Sequence, residues 1–247
     1  MILWQGNWTK AMPEPIAALQ RALYYGDALF ETMRLADGQI ELLDGHLERL
    51  NGGMRALGMG WPLEWYGAQV LDMLASSGVR DARVRLSVWR RLGGGLGAAH
   101  PDVDYCLELG PLPPPVERPL RVGICGAVRL ATDGLSRWKS LQMPRYAAAA
   151  REAARLGWDD ALVLNAHGRI AESSMANVFW EEDGVWYTPP LSEGCVAGVM
   201  RAWMLEQRRQ QGEPVAEDTL SPDRLAMADR LWLTNALRGI MPAVYTG

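Results

Sequence analysis

Lysine is nearly missing from this chain. Of its 25 cationic side chains only Lys10 and Lys139 are lysines. If an amine acts here as nucleophile or Schiff base, one of these two supplies it, because a guanidinium stays protonated. Cysteine is scarce as well. Cys106, Cys125 and Cys195 lie far apart and form no CxxC pair. That pattern gives neither a zinc ribbon nor a disulfide framework, and it fits a reducing compartment. His46, His100 and His167 show no metal-ligand spacing, and HExxH is missing. No GxSxG elbow occurs, and Arg90 to Gly95 lacks the GK[ST] ending of a phosphate loop. No run approaches the roughly 18 apolar residues of a membrane span. Met1 to Pro13 lacks the basic flank and apolar core of a signal peptide. A soluble cytoplasmic protein is expected.

What is present is ordinary for a folded chain. The 247 residues are 49% hydrophobic and 22% charged, with a formal net charge of −4. That length fits one or two domains, and the acidic balance argues against nucleic acid as a partner. Ala28 to Leu35 reads as a strand, Ala36-Asp37-Gly38 as a turn, and Gln39 to Leu43 as the returning strand. Asp44 is expected to cap a helix whose apolar face is Leu47, Leu50, Met54 and Leu57. A second helix fits Leu63 to Ser76. Ala82 to Trp89 alternates polar and apolar residues like a half-buried strand, with Arg83 and Arg85 on one face. Gly93 to Gly95 reads as a loop and Val103 to Leu109 as a strand.

The run from Gly110 to Pro115 is the clearest break, since consecutive prolines favour an extended connection. Three segments are expected: a small α/β domain over 1–112, a Pro-rich linker over 113–118, and a larger, β-rich α/β domain over 119–247. The later part opens with a strand at Leu120 to Cys125. A helix over Pro144 to Leu156 should end at Gly157. Short strands follow at Ala161–Leu164, Arg169–Ala171, Ala176–Trp180 and Val185–Tyr187. A helix over Val199–Arg209 and strands near Leu231–Leu233 and Ala243–Tyr245 complete the pattern.

Three stretches could carry chemistry. Lys139 sits in a polar segment just before a helix. Glu172 to Asn177 forms a polar turn in apolar surroundings, with the backbone donors and hydroxyls that bind ligands in such turns. Gly198 to Arg201 opens a helix, where free amides and the helix dipole favour phosphate. Each stretch alone has a bland alternative: a surface lysine, an ordinary Ser/Asn turn, an ordinary helix start.

Their order along the chain is more specific. Tyr25-Gly26-Asp27-Ala28-Leu29-Phe30-Glu31-Thr32-Met33-Arg34 is followed by His46-Leu47-Glu48-Arg49-Leu50. Lys139 comes next, then Glu172 to Asn177, Gly198-Val199-Met200-Arg201, and Thr234-Asn235-Ala236-Leu237-Arg238-Gly239-Ile240. This series resembles the class IV (fold-type IV) pyridoxal-phosphate enzymes. That group holds branched-chain and D-amino-acid aminotransferases and 4-amino-4-deoxychorismate lyases. The resemblance runs from about residue 20 to residue 245. It implies a two-domain α/β (α+β) fold and pyridoxal 5′-phosphate as cofactor. It also implies a small-molecule amine substrate, a homodimer, and an active site between the domains. Lys139 then matches the Schiff-base lysine and Arg49 the arginine on the cofactor phosphate. Glu172 matches the carboxylate at the pyridine nitrogen, and Ser174, Met175, Ala176 and Asn177 the turn beside the ring. The amides of Val199 and Met200, with the Thr234 hydroxyl, match the phosphate cup.

The departures also inform. Met200 stands where many relatives have threonine, Ser173 where many have glycine, and Pro144 where branched-chain enzymes commonly place a tyrosine. GDALFET resembles the lyase and D-amino-acid groups more than the branched-chain group, and the short chain resembles the lyases. A lyase releasing pyruvate and 4-aminobenzoate is therefore the leading expectation, with an aminotransferase as the alternative. Arg34, Arg83, Arg85 and Arg90 are the candidates for holding a substrate carboxylate.

Overall fold

A computed structural model describes residues 1–4, 7–10, 19–60, 72, 74–91, 96–97 and 100–247, with backbone alone at 2–4, 7–9 and 20. The fold is mixed α/β. It divides into two compact units, one of Met1–Pro113 with Trp138–Gln142 and the other of Pro114–Arg137 with Met143–Gly247.

The first unit is built on a six-stranded sheet. Its strands are β1 (Ile2–Trp4), β2 (Asn7–Thr9), β3 (Ala28–Ala36), β4 (Gln39–Ile40), β5 (Ala82–Arg90) and β6 (Val103–Gly110), in the order β2-β1-β6-β5-β3-β4. A short helix, α1 (Gln20–Tyr25), precedes β3 and ends at Gly26. The alternation of β5 sorts its residues as the sequence implies. Val84, Leu86 and Val88 are buried with Met33 and Leu35 of β3, while Arg83 lies exposed. Helix α2 (Leu43–Ala56) turns His46, Leu50, Gly53 and Met54 inward. Two details differ from expectation. Strand β4 is only two residues long, because α2 already starts at Leu43. Asp44 does not cap that helix. Leu42 holds the cap position at φ 54°, and Asp44 sits in the first turn, where the helix dipole still favours a carboxylate. The expected Gly93–Gly95 loop and most of the Leu63–Ser76 helix lie outside the described residues.

The lysine segment was expected within the later domain. In the structure Trp138–Gln142 packs with the first unit instead. The cause is backbone pairing along β3: the Phe30 N–H donates to the Lys139 carbonyl at 2.9 Å, and the Leu141 N–H to the Ala28 carbonyl at 3.1 Å.

The second unit is built on an eight-stranded sheet. Its strands are β7 (Leu120–Ile124), β8 (Asp160–Leu164), β9 (Ile170–Ser173), β10 (Asn177–Glu182), β11 (Val185–Thr188), β12 (Val215–Glu217), β13 (Arg230–Asn235) and β14 (Gly239–Tyr245), ordered β12-β11-β10-β13-β14-β7-β8-β9. Helix α3 (Pro144–Leu156) begins on its proline and ends at Gly157, whose φ of 73° suits a residue without Cβ. Helix α4 (Val199–Gln210) buries Met204 and Leu205 against Phe179 of β10. Helix α5 (Pro222–Met227) is capped by Ser221, which accepts the Arg224 amide hydrogen at 3.1 Å.

Candidate active site

In the first unit, Lys139 is half-buried, and its Nζ lies 4.6 Å from the centre of the Phe30 ring. The guanidinium carbon of Arg85 stands 3.9 Å from the same ring. Thr32 pairs with Arg85, Phe30 with Ser87 and Arg34 with Arg83 across β3 and β5, so these side chains share one face. The preceding Trp138 approaches α2 closely: a Cβ at Gly52 would stand 2.6 Å from its ring.

The opposite face of β3 carries Glu31, which is 1% exposed. Arg49 of α2 binds it through both ends of its fork, with Nε to Oε1 at 2.8 Å and Nη2 to Oε2. His46 Nδ1 lies 2.7 Å from Oε2. Burial alone would raise the Glu31 carboxyl. The charge and hydrogen bonds of Arg49, with those of His46, more than reverse this and bring it down to about 2.

In the second unit, Glu172 is the penultimate residue of β9 and is buried. Its Oε1 accepts the Tyr146 hydroxyl at 2.7 Å. Its Oε2 accepts the Asn177 amide at 3.2 Å and the Val196 backbone N–H at 3.1 Å. Asn177 also donates to the Val196 carbonyl at 2.9 Å. Three elements thereby converge on one carboxylate: β10 through Asn177, the loop before α4 through Val196, and α3 through Tyr146. Tyr146 had no place in the sequence reading. A hydroxyl two residues inside a proline-started helix was the available signal.

The turn from Ser173 to Ala176 is locked from below by Asp160. Ser173 and Ser174 donate their hydroxyls to it at 2.7 and 2.5 Å. Burial raises the Asp160 carboxyl, and these donors partly pull it back. The Ser173 oxygen also accepts the Ala176 amide hydrogen at 3.0 Å. Ser173 thus supplies a hydroxyl that ties the turn together. Ser174 directs its side chain to Asp160, Met175 is 57% exposed, and Ala176 is buried.

Helix α4 opens on Gly198, and neither a side-chain cap nor an acid occupies its first turn. Its start presses on Asn177: a Cβ at Gly198 would lie 1.8 Å from Asn177 Oδ1. Asn177 is paired in register with Thr234 on β13, so the helix start and Thr234 flank the same residue. The Thr234 hydroxyl is buried with no hydrogen-bond partner among the described residues. Val199 is buried, and Met200 packs its side chain against the apolar cluster around Phe179. Met200 can therefore offer only its amide to an anion.

A family model described as amino-transferase class IV matches residues 28–244. The chain belongs to that family. A Methanocaldococcus jannaschii protein provisionally named a branched-chain-amino-acid aminotransferase is 30% identical over 249 residues, spanning 98% of this chain and 86% of the relative. The crystal structure of a 4-amino-4-deoxychorismate lyase from Pseudomonas aeruginosa is similar at 31% identity and a TM-score of 0.89, covering 99% of this chain and 91% of that one. An aminotransferase from Brucella abortus bound to its cofactor PLP is similar at 25% identity and a TM-score of 0.84, covering 99% and 90%.

As a class IV enzyme the chain depends on pyridoxal phosphate, and the residues present fit that group. An uncapped helix start beside an orphaned hydroxyl suits a phosphate, which accepts from both. A buried carboxylate oriented by neutral donors suits a protonated ring nitrogen. Among the described residues no cluster could hold a metal ion, and no helix is long and apolar enough to cross a membrane.

Proposed function

We propose that this class IV enzyme is a 4-amino-4-deoxychorismate lyase, releasing pyruvate and 4-aminobenzoate. The carrying observation is the cationic wall beside Lys139. Arg85 shares the Phe30 ring with the lysine, and Arg83 lies on the same strand face. A substrate bearing two carboxylates suits such a wall, whereas a branched aliphatic side chain would leave arginines facing hydrocarbon. Of the other candidates, Arg90 is consumed by Asp27 and by the carbonyls of Leu57, Gly58 and His100. Arg34 pairs with Glu41 at 3.3 Å, closer than Arg85 stands to Glu108 at 3.8 Å. The likeness to the Pseudomonas lyase at 31% identity supports the same reading.

In this reading the cofactor, when bound, supplies an electron sink for charge developing at the amine-bearing carbon. Glu172 holds a proton at the ring nitrogen, and Asn177 holds Glu172. The turn of Ser174, Met175 and Ala176 borders the ring. Arg49, the amides of Val199 and Met200, and the Thr234 hydroxyl grip the phosphate. The Lys139 amine binds the cofactor and, once released, removes the proton from the amine-bearing ring carbon. The ether C–O bond then breaks, the ring becomes aromatic, and the three-carbon enol leaves as pyruvate. Arg85 orients a substrate carboxylate.

The test is to supply aminodeoxychorismate to the cofactor-loaded protein without any keto acid. Equimolar pyruvate and 4-aminobenzoate are expected. An aminotransferase is the second reading, favoured by the Methanocaldococcus relative. There Lys139 would carry the proton between substrate Cα and cofactor. Amino transfer to a keto acid without pyruvate release would overturn the lyase in its favour.

A further inference from the structure

Tyr146 lies in the first turn of α3, with its ring against the cluster of Cys125, Leu130, Ala149 and Cys195. Its hydroxyl reaches Glu172 Oε1 at 2.7 Å, the shortest of the contacts to that carboxylate described above. The other two donors both go to Oε2. Tyr146 therefore orients the oxygen that they leave aside.

We propose that Tyr146 is a positioning residue that keeps the shared proton on the cofactor ring nitrogen by hydrogen-bonding Glu172. The inference rests on the assignment of Glu172 to that nitrogen. A hydrogen bond donated to an ionised carboxylate favours the ionised form. With the bond in place the proton stays on the ring, and the ring remains the stronger electron sink. Without it, Glu172 competes better for the proton and the sink weakens. Burial, then the adjacent Glu172 charge, push the Tyr146 phenol well above its usual range. The hydroxyl thus stays protonated and can serve Glu172 only as a donor.

Tyr146→Phe removes this one oxygen and leaves the ring packed. The measurement is the 15N resonance of the ring nitrogen in protein loaded with labelled pyridoxal phosphate, read beside kcat and KM. The expected result is a 15N shift toward the free-base ring and a kcat lowered about tenfold, the usual worth of a hydrogen bond to a charged group. KM should stay near wild type, and the melting temperature should fall by no more than about a few degrees, the cost of one donor lost to a buried carboxylate. Tyr146→Leu serves as a second loss of the hydroxyl if the first variant is unstable. An unchanged 15N resonance and kcat in a folded variant would overturn the proposal. Glu172→Gln separates the two levels. If it moves the resonance and Tyr146→Phe does not, only the role of Tyr146 falls. If Glu172→Gln leaves the resonance in place, the assignment of Glu172 falls, and the role of Tyr146 with it.

Discussion

Glu31 in the first unit and Glu172 in the second are both buried, and they are handled in opposite ways. Glu31 is gripped by charge: Arg49 binds it with both arms of its fork, and His46 closes the other side. Glu172 is gripped by dipoles: a phenol, a side-chain amide and a backbone N–H. Ion pairs cancel charge inside the protein, whereas neutral donors fix a carboxylate without cancelling it. Glu31 therefore reads as an internal brace that sets the fork of Arg49. Glu172 is aimed by directed donors from three separate elements, which suits a carboxylate that must face a ligand. A glutamate and its burial do not reveal which of the two it is; the kind of donor does.

The largest effect should come from breaking the charged grip. Glu31→Gln leaves Arg49 and His46 without their anion, a loss of about 3–5 kcal/mol for one partner of a buried pair. Urea denaturation at neutral pH measures it. The pH dependence follows from the sign of the shift. The folded carboxyl is lowered to about 2, well below the ordinary glutamate range. Its stabilisation is complete above the unfolded value and disappears as pH falls from there toward 2. The acid limb of the stability curve should therefore flatten in Glu31→Gln.

Next in size is Gly198→Ala, which puts a methyl group on the Asn177 amide. Overpacking of this kind costs about 1–3 kcal/mol, or roughly a tenfold to hundredfold weaker cofactor affinity, read by equilibrium titration.

Thr234→Val sharpens the contrast more finely. In the cofactor-free protein it removes a buried hydroxyl that lacks a partner, so stability should hold or rise. Cofactor affinity should fall by about tenfold, because a hydrogen bond to a charged phosphate is lost. A parallel fall in both would mean that the hydroxyl serves the fold rather than the phosphate. The smallest effect is expected for Ser174→Ala, about 1 kcal/mol of stability with little change in cofactor affinity. Its hydroxyl is directed to Asp160.

Periodicity made much of this legible before any coordinates. The alternation of β5 and the Pro144-to-Gly157 frame of α3 are local patterns, and each stands where the residues predict it. Short elements without periodicity were not legible: the early end of β4, the three-residue β12 and helix α5 owe their form to neighbouring chain. Asp44 shows how a good cap residue can lie one step inside a helix when the residues before it turn early. The placement of Lys139 was beyond reach for another reason. Its segment joins the first sheet through backbone bonds to β3, and backbone pairing across more than a hundred residues leaves no mark on side-chain pattern. The motif residues proposed for the site stand in a fixed order along the chain. Their supports, Asp160 beneath the turn and Tyr146 on Glu172, were not legible, because they come from separate elements that only folding brings together.

The central claim is that Lys139 is the amine that holds the cofactor. The direct measurement is the visible absorption spectrum of protein incubated with pyridoxal phosphate and desalted, beside that of Lys139→Ala. A retained band is expected in the wild-type protein and none in the variant, which still carries Lys10. No band in either protein, or an equal band in both, would contradict the claim.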